Sequence, residues 1–223
     1  MPFDVRWDSL VSKVSFVYVN LQIGFFMKKY FQQIVFGIDQ SICRYLVKVF
    51  YPAYQRPRVG YLKHYQVLGH YFFMQKVVGF SRSVPWPVDF RSQIRGWQHI
   101  QKGIMCDPGD CPGVYINAFG GLKMGDNVGI AANSVLVTTN HDKYDQRKTG
   151  GPVGIEIGNN VWIGANCVIL PGTKIGNEVT IGAGCVVSGE IPSKSTVTRG
   201  ENHIRIYPKT KDYSWDIYSE KLT

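Results

Sequence analysis

From Ile157 onward every sixth residue is β-branched and aliphatic: Ile157, Ile163, Ile169, Ile175, Ile181 and Val187. Gly follows at 158, 164, 176 and 182. A second row, Val161, Cys167, Thr173, Val179, Cys185 and Ile191, is small or β-branched throughout. A helix repeats near 3.6 residues and a strand every 2, so neither alone returns a side chain to one axis every six. Short strands joined by turns do. The period predicts a parallel β-helix of hexapeptide repeats, in which each rung buries its aliphatic residue on the one below.

The rest of the chain is read against that stack. Five Cys without a CxxC pair do not form a disulfide framework, and Cys167 and Cys185 occupy the small-residue row as buried, reduced thiols. Cys106 and Cys111 flank a Pro-Gly loop but lack His or Cys partners at ligand spacing, so neither a bridge nor a metal is expected there. The net charge of +9 is uneven: residues 1–90 carry 11 Lys+Arg against 4 Asp+Glu, whereas the remainder is nearly balanced. Such a basic, aromatic segment suits an anionic surface or substrate. Nucleic acid is disfavoured, because no recognised binding module accompanies the charge. Asp4, Arg6 and Asp8 do not read as a secretory signal, and Val14–Met27 is too short and polar to span a bilayer. A cytoplasmic protein is expected, with peripheral contact at the inner membrane through residues 1–80.

Along the chain, Phe26, Tyr30, Ile34, Ile38, Ile42, Tyr45, Leu46 and Val49 recur at three- and four-residue steps, and Pro52 closes that helix. A second helix is expected over Tyr61–Val78. The two prolines of VPWPVDF then enforce extended backbone. Ile94 and Ile100 start an irregular six-residue count. Ile116 and Leu122 continue it, and Met124, Ile130 and Leu136 resume it after a shift of two. Three regions follow: residues 1–80, helical; 81–198, β-helix with a loop at 142–153; and 199–223, a tail with a helix over the last ten residues.

The loop interrupts the repeat directly after His141, the one His between Ile100 and Ile191. Insertions in such repeats leave the stack as loops on one face, often the functional one. A neutral imidazole at that position suits removing a proton from a hydroxyl as it attacks an activated acyl group. Asn140 and Asp142 complete the catalytic candidates. Strand neighbours point to opposite faces, so the group orienting His141 is expected from another rung. Asp142 curling back, Asp89 and Asp126 are the alternatives.

The NHD at 140–142, the polar loop and IGNNVWIGANCVILPGTKIGNEVTIGAGCVV at 157–187 resemble the bacterial hexapeptide acyltransferases. That group includes the galactoside, maltose and serine O-acetyltransferases and the xenobiotic acetyltransferases. VPWPVDF and PGVYINAFGGLKMGDNVGIAANSVLVTTNHD narrow the resemblance to O-acetyltransferases found with surface-polysaccharide biosynthesis. It covers residues 80–198. It implies a left-handed β-helix, which the helices read from periodicity in residues 1–80 would precede, a homotrimer with sites between subunits, and acetyl-CoA as donor without a metal. The implied acceptor is a saccharide hydroxyl; an amino-sugar nucleotide acylated on nitrogen, or a non-catalytic trimeric scaffold, are the other readings. By the same resemblance His141 is the general base and Trp162 lies beside the acetyl end of the donor. Ala165 and Ala183 offer backbone to the cysteamine and pantetheine, with Gly164 and Gly182 allowing close approach. RGENHIRIY at 199–207 replaces the group's usual Gly-x-Pro-Ala-Lys-like turn, so Arg199 or Arg205 is expected to meet the CoA phosphates. Asp89 stands where relatives usually carry His.

Overall fold

The structure is a computed structural model that describes residue 28 and residues 30–56 and 63–198. The helix expected over the last ten residues lies outside that range. The chain divides between Leu46 and Val47 into two units. In the first, residues 30–38 are α-helical and widen into a π-type turn at Asp39–Cys43. Tyr30, Phe31, Ile34, Ile38, Ile42 and Tyr45 are all exposed on this helix. No helix among the described residues is long and apolar enough to cross a membrane.

The second unit begins within the helical stretch Arg44–Phe50, which stops just ahead of Pro52. A further helix starts at His64–Val67 and continues with wider turns over Leu68–Val78, ending where Gly79 takes a left-handed φ of 111°. Its buried Gln75 donates to the Trp86 carbonyl at 3.0 Å and accepts from the Val88 amide at 3.0 Å. The extended VPWPV segment pairs with no described strand, and its backbone is satisfied instead by Gln75, by Lys76 Nζ donating to the Val84 carbonyl at 2.9 Å and by the Ala53 amide donating to the Pro85 carbonyl at 2.9 Å. Residues 63–78 therefore belong with the later unit, and the division falls before the 80/81 boundary that composition suggested.

From residue 93 the chain winds through three parallel sheets in rotation, as a left-handed parallel β-helix. The first face holds Gln93–Arg95, Tyr115–Asn117, Val135–Val137, Val168–Ile169 and Val186–Val187. The second holds Ile100–Gln101, Leu122–Met124, Ile155–Ile157, Lys174–Ile175 and Glu190–Ile191. The third holds Val128–Ile130, Val161–Ile163, Thr180–Ile181 and Thr196–Val197. Ile157 pairs in register with Ile175, so a regular coil is three hexapeptides. Inward, Ile94, Ile116, Leu136, Ile169 and Val187 stack on the first face, and Ile130, Ile163, Ile181 and Val197 on the third. The six-residue row is the core.

One member of the second row is placed differently. Ile191 pairs with Ile175, which puts it in the first row beneath Ile157 and Ile175 and not beside Cys185. The last coil is two residues short at the corner after Val187, a deletion that leaves both rows aliphatic and so hides in the composition of the repeat.

The corners explain the glycines. Between the second and third faces the Asp126 amide donates to Asn159 Oδ1 at 2.8 Å, the Asn159 amide to Asn177 Oδ1 at 2.8 Å, and the Asn177 amide to Ser193 Oγ at 3.0 Å. A Cβ on Gly158 would lie 2.5 Å from Asn177 Oδ1, so the glycine makes room for the cap below it. Asn127 and Asn160 turn this corner, and Asn133 and Asn166 the one between the third and first faces, with φ between 55° and 59°, a left-handed conformation that asparagine tolerates better than most residues.

Outward, the faces differ in chemistry. The second carries Lys123, Glu156, Lys174 and Glu190 in register, alternating in sign. The first carries Tyr115, Val135, Val168 and Val186 in register, an apolar row. The third carries Gly129, Trp162 and Thr180.

Candidate active site

Met124 pairs with Ile157, 33 residues on, which is 15 more than a regular coil requires. The excess leaves the corner between the first and second faces as an antiparallel hairpin in which Thr139–His141 pairs with Thr149–Pro152. The segment read from sequence as an aperiodic loop thus contains a strand, and the turn proper is shorter. Its base is fixed from within the stack. The buried Thr138 donates from Oγ1 to the Asn117 carbonyl at 2.8 Å and accepts from the Gly120 amide at 2.7 Å, while Asn117 Nδ2 donates to Thr139 Oγ1 at 3.1 Å.

The turn is tied by its own carboxylates. Asp142 Oδ1 accepts the Tyr144 and Asp145 amides at 2.8 and 2.9 Å. Arg147 and then Lys148 beside Asp145 hold its carboxyl down at about 2. Asp142 is therefore spent on the turn and does not orient His141. Asp89 pairs with Arg91, and Asp126 Oδ1 accepts the Ile104 amide at 2.8 Å, so neither of those serves His141 either. The orienting group comes from the loop itself and not from another rung. His141 Nδ1 lies 2.7 Å from the carbonyl oxygen of Gln146. A carbonyl only accepts, so in the neutral ring Nδ1 carries the hydrogen and Nε2 keeps its lone pair. His141 is exposed, and its free nitrogen is a base held in one tautomer. Asn140 precedes it, also exposed, on the same strand.

Sequence reasoning missed Gln146 because a backbone carbonyl has no residue signature. Thr138 left a faint one, a buried polar position where the neighbouring rungs carry apolar residues.

The other expected residues gather elsewhere. Trp162 lies on the third face, 51% exposed, over Gly129. A Cβ on Gly129 would meet the indole at 2.7 Å, so the glycine is what lets the ring lie against the sheet. The corner that follows is lined by Gly164 and Ala165, with Gly182 and Ala183 one coil below. The Gly164 amide donates to the Ile181 carbonyl at 2.8 Å, and the Gly184 amide to the Ala165 carbonyl at 2.9 Å. Cys167 and Cys185 are buried beneath this corner, and the described cysteines are all unbridged. Arg199 and Arg205 lie outside the described residues. Among the described residues no group of three or more His, Cys, Asp or Glu is placed to hold a metal ion.

The structure thus brings Asn140, His141 and Asp142 together at one corner and Trp162, Gly164, Ala165, Gly182 and Ala183 together at another. In a three-faced prism the corner between the first and second faces is opposite the third face. One copy of the chain does not bring His141 to Trp162.

Residues 154–189 match the family described as bacterial transferase hexapeptide (six repeats). The galactoside O-acetyltransferase of Escherichia coli (strain K12) is 46% identical over 74 residues, which is 32% of this chain and 36% of that protein. The chain therefore spans about a third of that relative's length. Among solved structures, a galactoside acetyltransferase in complex with coenzyme A is 29% identical, covering 48% of this chain and 56% of that one with a TM-score of 0.40. A maltose O-acetyltransferase from Clostridium difficile 630 is 24% identical, covering 73% and 82% with a TM-score of 0.40.

Proposed function

We propose that this chain is an acetyl-CoA-dependent O-acetyltransferase that modifies a hydroxyl of a saccharide in surface-polysaccharide biosynthesis. The observation that carries this reading is the His141 ring, fixed through Nδ1 on Gln146 with Nε2 open, on the hairpin that breaks the acetyltransferase-like repeat. In the reaction, Nε2 takes the proton of the acceptor hydroxyl as its oxygen attacks the acetyl carbonyl. The carbon–sulfur bond then breaks, and the leaving thiolate recovers the proton from the imidazolium. The galactoside O-acetyltransferase similarity supports both the donor and an oxygen acceptor.

The separation of His141 from Trp162 fits a homotrimer with the site between copies. The apolar outward row Tyr115, Val135, Val168 and Val186 supplies a face for such packing, whereas the alternating charges of the second face suit water. The exposed helix at 30–46 carries Arg44 beside its aromatic and aliphatic side chains, and we read it as a peripheral contact with an anionic membrane surface from the cytoplasmic side. Paired Ile34→Glu and Ile38→Glu substitutions would then abolish sedimentation with anionic vesicles.

Thiol release from acetyl-CoA across a saccharide panel tests the activity. His141→Ala should lower turnover by about two orders of magnitude or more. Unchanged turnover in that variant removes His141 from the chemistry, and a wild-type chain that releases no thiol favours the scaffold reading.

A further inference from the structure

A cavity of about 450 Å³ opens beside Trp162 on the side away from the Gly164 and Ala183 corner. Val128–Ile130, the rung above Trp162, forms its floor, and Asn127, Asn160, Arg56, Asp110 and Cys111 close its rim. Arg56 reaches Asp107 at 2.9 Å and Asp110 at 2.8 Å, and Lys102 reaches the fully buried Asp107 at 3.2 Å. At the rim Arg56 faces Asp110, and behind it Lys102 faces Asp107, so two cations against two carboxylates leave the cavity without net charge when all are ionised. Asn127 Nδ2 donates to Asn160 Oδ1 at 2.9 Å. That bond leaves the Asn160 amide hydrogens and the Asn127 carbonyl directed to other partners.

We infer that this cavity is the acceptor subsite and that it takes one neutral pyranose, stacked on the Trp162 indole with its hydroxyls on Asp110 and the Asn127–Asn160 pair. The inference rests on the acetyltransferase reading, and it names where the acceptor lies. A pyranose has an apolar C–H face and a rim of hydroxyls, each of which can donate and accept. A half-exposed indole beside fixed carboxylate and amide groups offers the complement of both. A phosphate or carboxylate finds no uncompensated cation here, because Arg56 is already shared between two aspartates. Position agrees with chemistry. If the pantetheine follows the small-residue corner toward the C-terminal rungs, the acetyl group ends at Trp162, and only the cavity above remains for the group that receives it.

The test uses the full chain and two quiet substitutions. Asp110→Asn keeps an oxygen for the Arg56 bond, and Asn160→Asp keeps the oxygen that Asn127 contacts while removing the amide hydrogens. Saturation-transfer NMR with the methyl glycosides of galactose, glucose and N-acetylglucosamine, without CoA, should detect at least one of them. Each variant should weaken that binding about tenfold, roughly one lost hydrogen bond to a charged or amide partner. No binding of any glycoside, binding indifferent to both substitutions, or displacement by inorganic phosphate would overturn the assignment. Turnover separates this from the broader reading. In Asp110→Asn the KM for the saccharide should rise about tenfold with the KM for acetyl-CoA unchanged. Active enzyme with an unaltered saccharide KM refutes the subsite alone. Glycoside binding in a chain that releases no thiol refutes the acetyltransferase reading, and with it the acceptor role, and leaves only a pyranose-binding cavity.

Discussion

Gly164→Ala and Gly129→Ala add the same methyl group at neighbouring points of one wall, and the structure assigns them different costs. At Gly164 the new Cβ would lie 2.6 Å from the Ala183 amide nitrogen, 2.9 Å from the Ile181 carbonyl oxygen and 3.0 Å from the Ala183 Cα. All three are backbone atoms of the next coil. That coil is held by the Gly164-to-Ile181 and Gly184-to-Ala165 hydrogen bonds, and the Gly164 carbonyl also accepts Ser134 Oγ at 2.9 Å. Rungs in a sheet sit about 4.8 Å apart, so opening the contact to an ordinary one stretches bonds that define the stack. Overpacking of this kind costs about 1–3 kcal/mol and a lost backbone hydrogen bond about 1 kcal/mol. Against that, replacing Gly by Ala narrows the unfolded ensemble and returns about 0.4–1 kcal/mol. The expected net loss is about 1–3.5 kcal/mol. At Gly129 the obstacle is the edge of the Trp162 ring, 2.7 Å away, and a half-exposed indole swings aside. Its cost should fall within about 1 kcal/mol of zero, with indole emission shifted to the red as the ring leaves the sheet. Equilibrium urea denaturation at one fixed protein concentration measures both, since assembly would make the midpoint depend on concentration. Equal losses for the two variants, or a Gly164→Ala chain within about 0.5 kcal/mol of wild type, would refute the assignment of rigidity to the corner.

Other perturbations probe separate parts of the molecule. Burial lifts the Asp110 carboxyl from 3.8 to about 6 in spite of the neighbouring Arg56. The folded chain therefore keeps a proton that the unfolded chain has released between those values, and stability falls as pH rises through that window. Asp110→Asn should match wild type near pH 4 and exceed it at pH 7 by about 1–2 kcal/mol after allowance for its partial exposure, measured by urea midpoints at both pH values. Asn159→Ala removes the acceptor for the Asp126 amide and should cost about 0.5–1.5 kcal/mol in the same assay, with no change in acetyl-CoA turnover. Glu156→Lys places a third cation between Lys123 and Lys174 and should cost up to about 1 kcal/mol at low salt, less at 1 M where the Debye length is about 3 Å.

The sequence alone determined the stack, because burying a rung demands an aliphatic side chain at a fixed interval and Ile157 to Val187 keep that interval without a gap. It also determined where the stack breaks, since a polar run cannot occupy inward positions, and so it marked His141. It did not determine what holds the imidazole. Asp142 looked able to do so, but its carboxylate is taken by two amides of its own turn, and the partner is a Gln146 carbonyl that every residue type would supply equally. The two-residue deletion after Val187 escaped as well, because a shortened corner still delivers Ile191 to an aliphatic position. The asparagine caps and the cavity beside Trp162 join residues far apart in the chain, Arg56 and Asp110 to Asn160, Asp126 to Asn159. Only tertiary structure decides such meetings. Periodicity reports what each residue must bury, whereas a site depends on which rung, corner and loop arrive at the same place.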